Sequence, residues 1–368
     1  MGSGDFMGSS SLAEIEDALK KVSNGVTSIV KLFLERIDET LEEIGNERKS
    51  AVFAILYSSV VPIQREHVHE IYLKFKHCLE NKLRDDIQQV DVVLHTAGGD
   101  ADAAFHIGFI MQKCIEEKEE ERGSKLTLNI IVPRLAKSAG TLLALSGDNI
   151  LLTRVSELGP IDPQIPSERG EYVSAKTIRD SLRQLIDVIS EKSSTKHKER
   201  RVDEKITEEL LKRIPVTEMG HYESLIKHVS ILAKELLSNR MFKENESEKK
   251  IDVKKIVSRL VKGYEYHGHA ITYWHLRSMN IKCELLPPKI EEKTIKIYEI
   301  FLNMQKTLNP LLIPFYVSLP EPIGRYAYKS FLMKNGITFI PSPEELAERY
   351  IGKLVESLGA HREKSSES

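Results

Sequence analysis

Short, almost unbroken apolar runs alternate along this chain with longer stretches of mixed character. Val52-Phe-Ala-Ile-Leu56, Val90-Asp-Val-Val-Leu-His95, Leu126-Thr-Leu-Asn-Ile-Ile-Val-Pro133 and Asp148-Asn-Ile-Leu-Leu-Thr153 have the length and composition of buried strands. Between and after them, Ala101–Cys114, Tyr222–Met241, Val253–Lys262 and Ile290–Thr307 read as helices, as do Lys205–Arg213 and Glu344–Leu358. Strands that alternate with helices predict an α/β fold of stacked β-α units with a largely parallel sheet. Upstream, Leu12, Ile15, Leu19, Val22, Val26, Ile29, Val30 and Phe33 recur mostly at three- and four-residue steps, which predicts a helix over 11–45. Such a helix either covers an edge of the core or contacts another subunit.

The organisation follows. Residues 1–10 read as an added leader, with a native start at Met7, and not as a signal peptide. Residues 11–46 form an N-terminal helical segment, 47–290 the core, 291–360 a C-terminal α/β appendix, and 361–368 a polar tail expected to be disordered. Lys192–Glu204 is strongly charged and reads as a loop.

Composition narrows the function classes. Lys and Arg total 53 and Asp and Glu 55, a net charge of −2, so there is no general electrostatic reason to bind nucleic acid. The basic run Lys196-His-Lys-Glu-Arg-Arg201 is short, lacks aromatics and sits among acids, as a solvated face would. No apolar run approaches the roughly 20 residues of a membrane span, and the absence of such an anchor predicts a soluble, cytoplasmic protein. Cys78, Cys114 and Cys283 are widely spaced and odd in number, and read as reduced thiols.

Two strand-to-helix turns carry the candidate chemistry. Leu135-Ala-Lys-Ser-Ala-Gly-Thr141 follows one apolar run and places Ser138 where a helix begins. A serine there can cap the helix, or present its hydroxyl beside free backbone N–H groups that stabilise negative charge. Thr96-Ala-Gly-Gly-Asp100 is a second turn of the same design, in which paired glycines allow tight backbone and expose N–H groups. A third segment, Leu158-Gly-Pro-Ile-Asp-Pro-Gln-Ile165, is an ordered loop fixed by its prolines. No nucleotide-binding glycine pattern is present, and His267 and His269 lack the partners of a metal site, so no cofactor and no metal is expected. A turn that packs the end of the domain suits these two histidines. His67 and His69 lie on a charged helical segment and read as surface residues.

Taken in order, His95-Thr-Ala-Gly-Gly, Ala136-Lys-Ser-Ala-Gly-Thr and Leu158-Gly-Pro-Ile-Asp-Pro-Gln resemble the Clp-protease/crotonase-like superfamily, in its serine dehydrogenase proteinase branch, related to signal peptide peptidase A. The resemblance runs from about Ala51 to about Pro287, where His267-Gly-His-Ala-Ile271 and Ile281-Lys-Cys-Glu-Leu285 match the end of the family domain. It implies a Clp/crotonase-type fold, a peptide or protein substrate and a homo-oligomer. It also implies Ser138 as nucleophile, an oxyanion hole at Gly98, Gly99 and Ala139 (with Gly98 shaping the turn), and a substrate groove walled by Gly159, Pro160 and Asp162. Clp protease carries its catalytic histidine a short way after the serine. Here that position falls at or near Asp162, and no histidine lies between Ser138 and His197.

The related signal peptide peptidases use a lysine base. Lys176, in Tyr172-Val-Ser-Ala-Lys-Thr-Ile178 at the expected start of a helix, is the best-placed candidate, ahead of Lys192, Lys196 and Lys198. It would need burial to lower its pKa from about 10.4 towards neutrality. Lys137 adjoins the serine and is expected to shape the local field, not to take the proton. The expected function is a serine endopeptidase working through an acyl-enzyme. The competing readings are a catalytically silent scaffold on the same fold and, less well matched by the serine, an acyl-thioester enzyme of the crotonase kind.

Overall fold

In the computed structural model, which describes residues 32–166, 172–194, 216–243, 252–308 and 315–317, the apolar runs pair into one six-stranded sheet. Strands β1 (Ala51–Tyr57), β2 (Gln89–His95), β3 (Thr127–Val132), β5 (Asn149–Leu152) and β9 (Cys283–Leu285) lie side by side and parallel. The edge strand β10 (Phe315–Val317) runs antiparallel to β1. Parallel strands need helical crossovers that cover both faces, and this explains why the runs are apolar nearly throughout.

The alternation within each strand sorts its side chains between two cores. Phe53, Ile55, Val90, Val92, Leu94, Leu128, Ile130, Ile150 and Leu152 face one layer. That layer contains α2 (Glu66–Lys82), α3 (Ala101–Arg122), α4 (Ala139–Ala144), α6 (Val216–Asn239), α7 (Val253–Lys262) and α8 (Tyr273–Ser278). Val52, Ala54, Leu56, Val93, Ile131 and Leu151 face the other, where a helix over 32–48, α1, supplies Leu34, Ile37, Leu41 and Ile44. Helix α9 (Pro288–Leu308) adds Ile290, Ile297, Phe301 and Met304 to the same side. The result is a three-layer α/β sandwich. At the start of this second face, Asp91, Asn129 and Asn149 stand in register on β2, β3 and β5.

Beyond the ends of the strands, β4 (Leu135–Ala136) pairs parallel with β6 (Glu157–Leu158). Single bridges extend this pair, from Thr96 to Ala136 and from Leu158 to Ile271. Four loops are thereby tied together on the side where α/β sheets hold their ligands.

Several elements differ from the pattern-based expectation. Helix α3 continues past Cys114 to Arg122, where Gly123 ends it at φ 63°. The added turns are charged and carry i,i+3 pairs, Lys113–Glu116 and Lys118–Glu121, so apolar periodicity gives no sign of them. Tyr172–Ser174 is a strand, β8, paired antiparallel with β7 (Gln164–Pro166), and helix α5 (Ala175–Ser194) starts only after it. It carries Lys192 inside the helix. Phe315–Val317 of the expected appendix completes the core sheet. The expectations for 11–31, 195–213, 344–358 and 361–368 lie outside the described residues.

Candidate active site

The turn between β3 and α4 puts Ser138 at φ 53°, ψ −118°, in the positive-φ region that residues with a side chain rarely adopt. Its side chain makes no capping bond, so the helix-cap role is not the one it plays. The turn is a sharp strand-to-helix elbow, and Ser138 lines a groove. Helix α4 has only six residues, so its dipole is weak and the nearby N–H groups dominate the local electrostatics.

Two glycines let the neighbouring turn approach this serine. Gly98 has φ 110°, and a Cβ on it would lie 2.7 Å from Lys137 O and 3.0 Å from the Ser138 Cβ. Gly99 has φ 150°, and a Cβ there would lie 2.2 Å from Ile63 N. The pair is locked in place by Ile63 N–H donating to Gly98 O (2.8 Å) and Asp100 N–H donating to Ile63 O (2.9 Å). Gly98 N–H donates to Thr96 Oγ1 at 3.0 Å, so within the expected oxyanion loop it is engaged in shaping the turn. Gly99 N–H and Ala139 N–H have no hydrogen-bond partner among the described residues.

The Leu158–Gln164 loop forms the facing wall. Thr141 Oγ1 lies 2.7 Å from Ala136 O and 2.9 Å from Gly159 O, and accepts from Gly159 N–H at 2.9 Å. A single buried hydroxyl thus staples the serine turn to the loop. Ile161, Asp162, Pro163 and Gln164 line the groove, together with Ser138, Ala139, Gly98 and Gly99, around about 930 Å³. Gly159 and Pro160, expected in this wall, sit behind it. Gly159 packs so closely that a Cβ would lie 2.9 Å from the Lys137 side chain.

The predicted base is placed elsewhere. Lys176 Nζ donates to Glu265 Oε1 at 3.0 Å and to Tyr264 O at 3.2 Å, and Lys176 is not among the groove-lining residues. Lys137 Nζ reaches Gly268 O (3.4 Å), His269 O (3.3 Å) and Glu157 Oε2 (3.2 Å), turned from the serine towards the 268–269 backbone.

Pattern reading missed the contact that these lysines surround. His267 Nδ1 lies 2.7 Å from Asp162 Oδ1, and both residues line the groove. Burial pushes the Asp162 carboxyl up, but the hydrogen bonds and charge around it, led by the hydrogen bond of His267, outweigh it and hold the group below the usual carboxylate range. The sequence hint was the aspartate standing where a Clp-type histidine belongs; its partner lies 105 residues away. A second pair, His228 Nε2 and Asp102 Oδ1 at 2.7 Å, lies on the groove's other side, with both side chains close to half exposed. Two other histidines are packed into the fold. His67, expected at the surface, is buried with Nδ1 2.9 Å from Tyr57 Oη. His95 is buried at the end of β2 and accepts from Leu135 N–H at 3.4 Å. Burial drives each of them down to about 4. The three cysteines are buried and form no disulfide among the described residues. Among the described residues no cluster suits a metal, and no helix is long and apolar enough to cross a membrane.

A parallel sheet, paired loops beyond its strand ends and a strained serine on the second of them define a Clp-type α/β protein. The chain belongs to the ClpP-like SDH-type serine proteinase family, whose model matches residues 28–321. Two uncharacterized proteins of Methanocaldococcus jannaschii are similar to it. One is 23% identical over 239 residues, covering 65% of each chain. The other is 28% identical over 149 residues, covering 38% of this chain and 45% of that protein. The chain therefore spans less than two thirds of the length of either curated relative. Among solved structures, the 1510-N membrane-bound stomatin-specific protease is 16% identical with a TM-score of 0.36, over 63% of this chain and 77% of that one.

Proposed function

We propose that this protein is a serine endopeptidase that cleaves peptide bonds through an acyl-enzyme on Ser138. The observation that carries the proposal is the strained Ser138 in the groove lining, together with Gly99 N–H and Ala139 N–H, which have no hydrogen-bond partner among the described residues. Ser138 Oγ attacks the substrate carbonyl, and Gly99 N–H and Ala139 N–H receive the oxyanion. Removing one such donor typically lowers kcat by about 10²–10³. Val60, Leu142, Ile161, Leu225 and Val229 give the groove apolar walls suited to an apolar substrate side chain. A lysine base would require Lys176 to release Glu265 and Tyr264 and to lose a proton before accepting one.

Labelling with a fluorophosphonate probe tests the reading. The expected result is covalent labelling that Ser138→Ala abolishes, with peptide hydrolysis falling on the order of 10⁶-fold. Labelling that persists in Ser138→Ala refutes it. So does its absence in every assembly state, which is the outcome a catalytically silent scaffold predicts. Sedimentation of the same samples reports whether the protein forms the homo-oligomer that belongs to this reading.

A further inference from the structure

We infer that His267 is the general base and acid for Ser138, with Asp162 as the residue that positions it. The inference rests on Ser138 being the nucleophile and adds the group that moves its proton.

Location is the first support. His267, Asp162 and Ser138 line one groove, and His267 is delivered from a segment far along the chain. That segment is fixed at three points. Leu158 and Ile271 exchange N–H···O bonds of 2.9 and 3.0 Å. Lys137, next to the serine, holds the carbonyls of Gly268 and His269. His269 N–H donates to Tyr266 O at 3.0 Å. The serine turn and the histidine segment are therefore braced against each other, which is what a preorganised proton relay requires.

Bond direction is the second support. Nδ1 is the ring nitrogen bound to Asp162, so its N–H is fixed on the carboxylate and Nε2 is left as the acceptor. Asp162 is itself 5% exposed, and its other oxygen accepts from Gln164 Nε2 at 3.1 Å, so the carboxylate cannot turn away. Lys176 presents the opposite situation. Its amine donates to a carboxylate and a carbonyl, the pattern of a protonated group with no lone pair to offer.

The proton accounting closes. The Ser138 hydroxyl proton passes to His267 Nε2 as Oγ bonds to the carbonyl carbon. The imidazolium returns that proton to the leaving nitrogen as the C–N bond breaks, leaving an ester on Oγ. Water then attacks the ester while Nε2 takes its proton. The tetrahedral adduct collapses to the free carboxylic acid, and Oγ regains the proton.

The test is the pH dependence of fluorophosphonate labelling on the full chain. Charged and titratable groups that share the groove or hold its segment are Asp100, Asp102, His228, Lys137, Glu157, Lys176, Glu265 and His269. With His267 as base, the wild-type labelling rate depends on pH and rises towards the alkaline side. His267→Gln lowers it about 10²–10⁴-fold and removes that rise. His267→Ala, confirmed folded by circular dichroism, regains rate with added imidazole, a rescue that a merely structural role would not give. Asp162→Asn lowers the rate and displaces the pH midpoint. Wild-type rates in His267→Gln overturn the assignment. So does loss of labelling in Lys176→Met or His228→Gln while His267→Gln keeps it. Failure of wild type to label at all removes the serine reading itself, which the Ser138→Ala comparison reveals separately.

Discussion

Where the strands begin, Asp91, Asn129 and Asn149 form a polar ladder across β2, β3 and β5; where they end, Ser138, Asp162 and His267 gather at a groove. Both places take polar side chains out of water, but they complete the hydrogen bonding differently. Arg48 reaches both oxygens of fully buried Asp91, through Nε and through Nη2 at 3.1 Å. Asn129 donates to Asp91 Oδ1 at 2.8 Å, Asn149 to Asn129 at 3.0 Å, and Gln89 to the Arg48 carbonyl at 2.6 Å. Both carboxylate oxygens are engaged, and the ladder does not border the groove. At the other end, two backbone N–H groups without a partner among the described residues and a strained serine line a cavity. A satisfied buried network fixes a fold, whereas unsatisfied donors facing a groove are available to a ligand.

Breaking the closed end should have the largest effect on stability. Asp91→Ala removes the carboxylate to which Arg48 and Asn129 donate, leaving them the longer contacts to Gln89 Oε1 at 3.4 and 3.3 Å, and should destabilise the protein by about 3–5 kcal/mol in urea denaturation. The fluorophosphonate labelling rate per folded molecule should stay at the wild-type value. If labelling falls while stability is unchanged, the two ends are coupled and the division fails.

Acid should expose a histidine that sits near the groove without belonging to its chemistry. His95 is buried, and besides burial the nearby Arg134 charge depresses it, to about 4. Its folded pKa is below the ordinary value of 6.5, so the unfolded chain binds more protons between those values. Stability is therefore lost as pH falls below about 6.5, by on the order of 3 kcal/mol once pH reaches about 4. His95→Gln should flatten that slope by one proton, leaving the parallel loss from His67. Denaturation at pH 7.5 and 4.5 decides it, and an unchanged slope in His95→Gln refutes it. The contrast with His267 lies in the partners: His95 has a cation nearby, while His267 has a carboxylate.

The same division explains what the sequence made legible. Strand runs such as Val90–His95 and helix Val253–Lys262 were readable because burial on both faces, or a 3.6-residue stripe, leaves a periodic mark. The serine and glycine turns were readable because tight backbone demands small residues in fixed order. The base was not. His267 and Asp162 meet only after the chain folds back, and nothing local to His267-Gly-His269 encodes an acceptor 105 residues upstream. Asp91 was hidden for a related reason: one aspartate in an apolar run looks like a blemish until Asn129 and Asn149 fall into register beside it. The long α3 was missed because its last turns are held by exposed ion pairs, with no apolar face to see.

The smallest expected effect on stability is the most informative about the open end. Lys137 immediately precedes Ser138 in the small-residue turn, and its ammonium holds Glu157 together with the carbonyls of Gly268 and His269. Its ion pair is partly screened, with both side chains about one-fifth exposed, so Lys137→Met should cost no more than about 1 kcal/mol in denaturation. The methionine keeps the aliphatic stem that packs against Gly159 and loses only the charged tip. If that tip braces the histidine segment, kcat should fall about 10-fold with KM nearly unchanged, because a misplaced base affects proton transfer more than ground-state binding. The pH midpoint of labelling should stay where it is in wild type, since the base itself is untouched. A shifted midpoint would mean instead that the ammonium acts on the titrating group through its charge. An unchanged kcat would show that the Leu158–Ile271 bridge alone holds His267 in place.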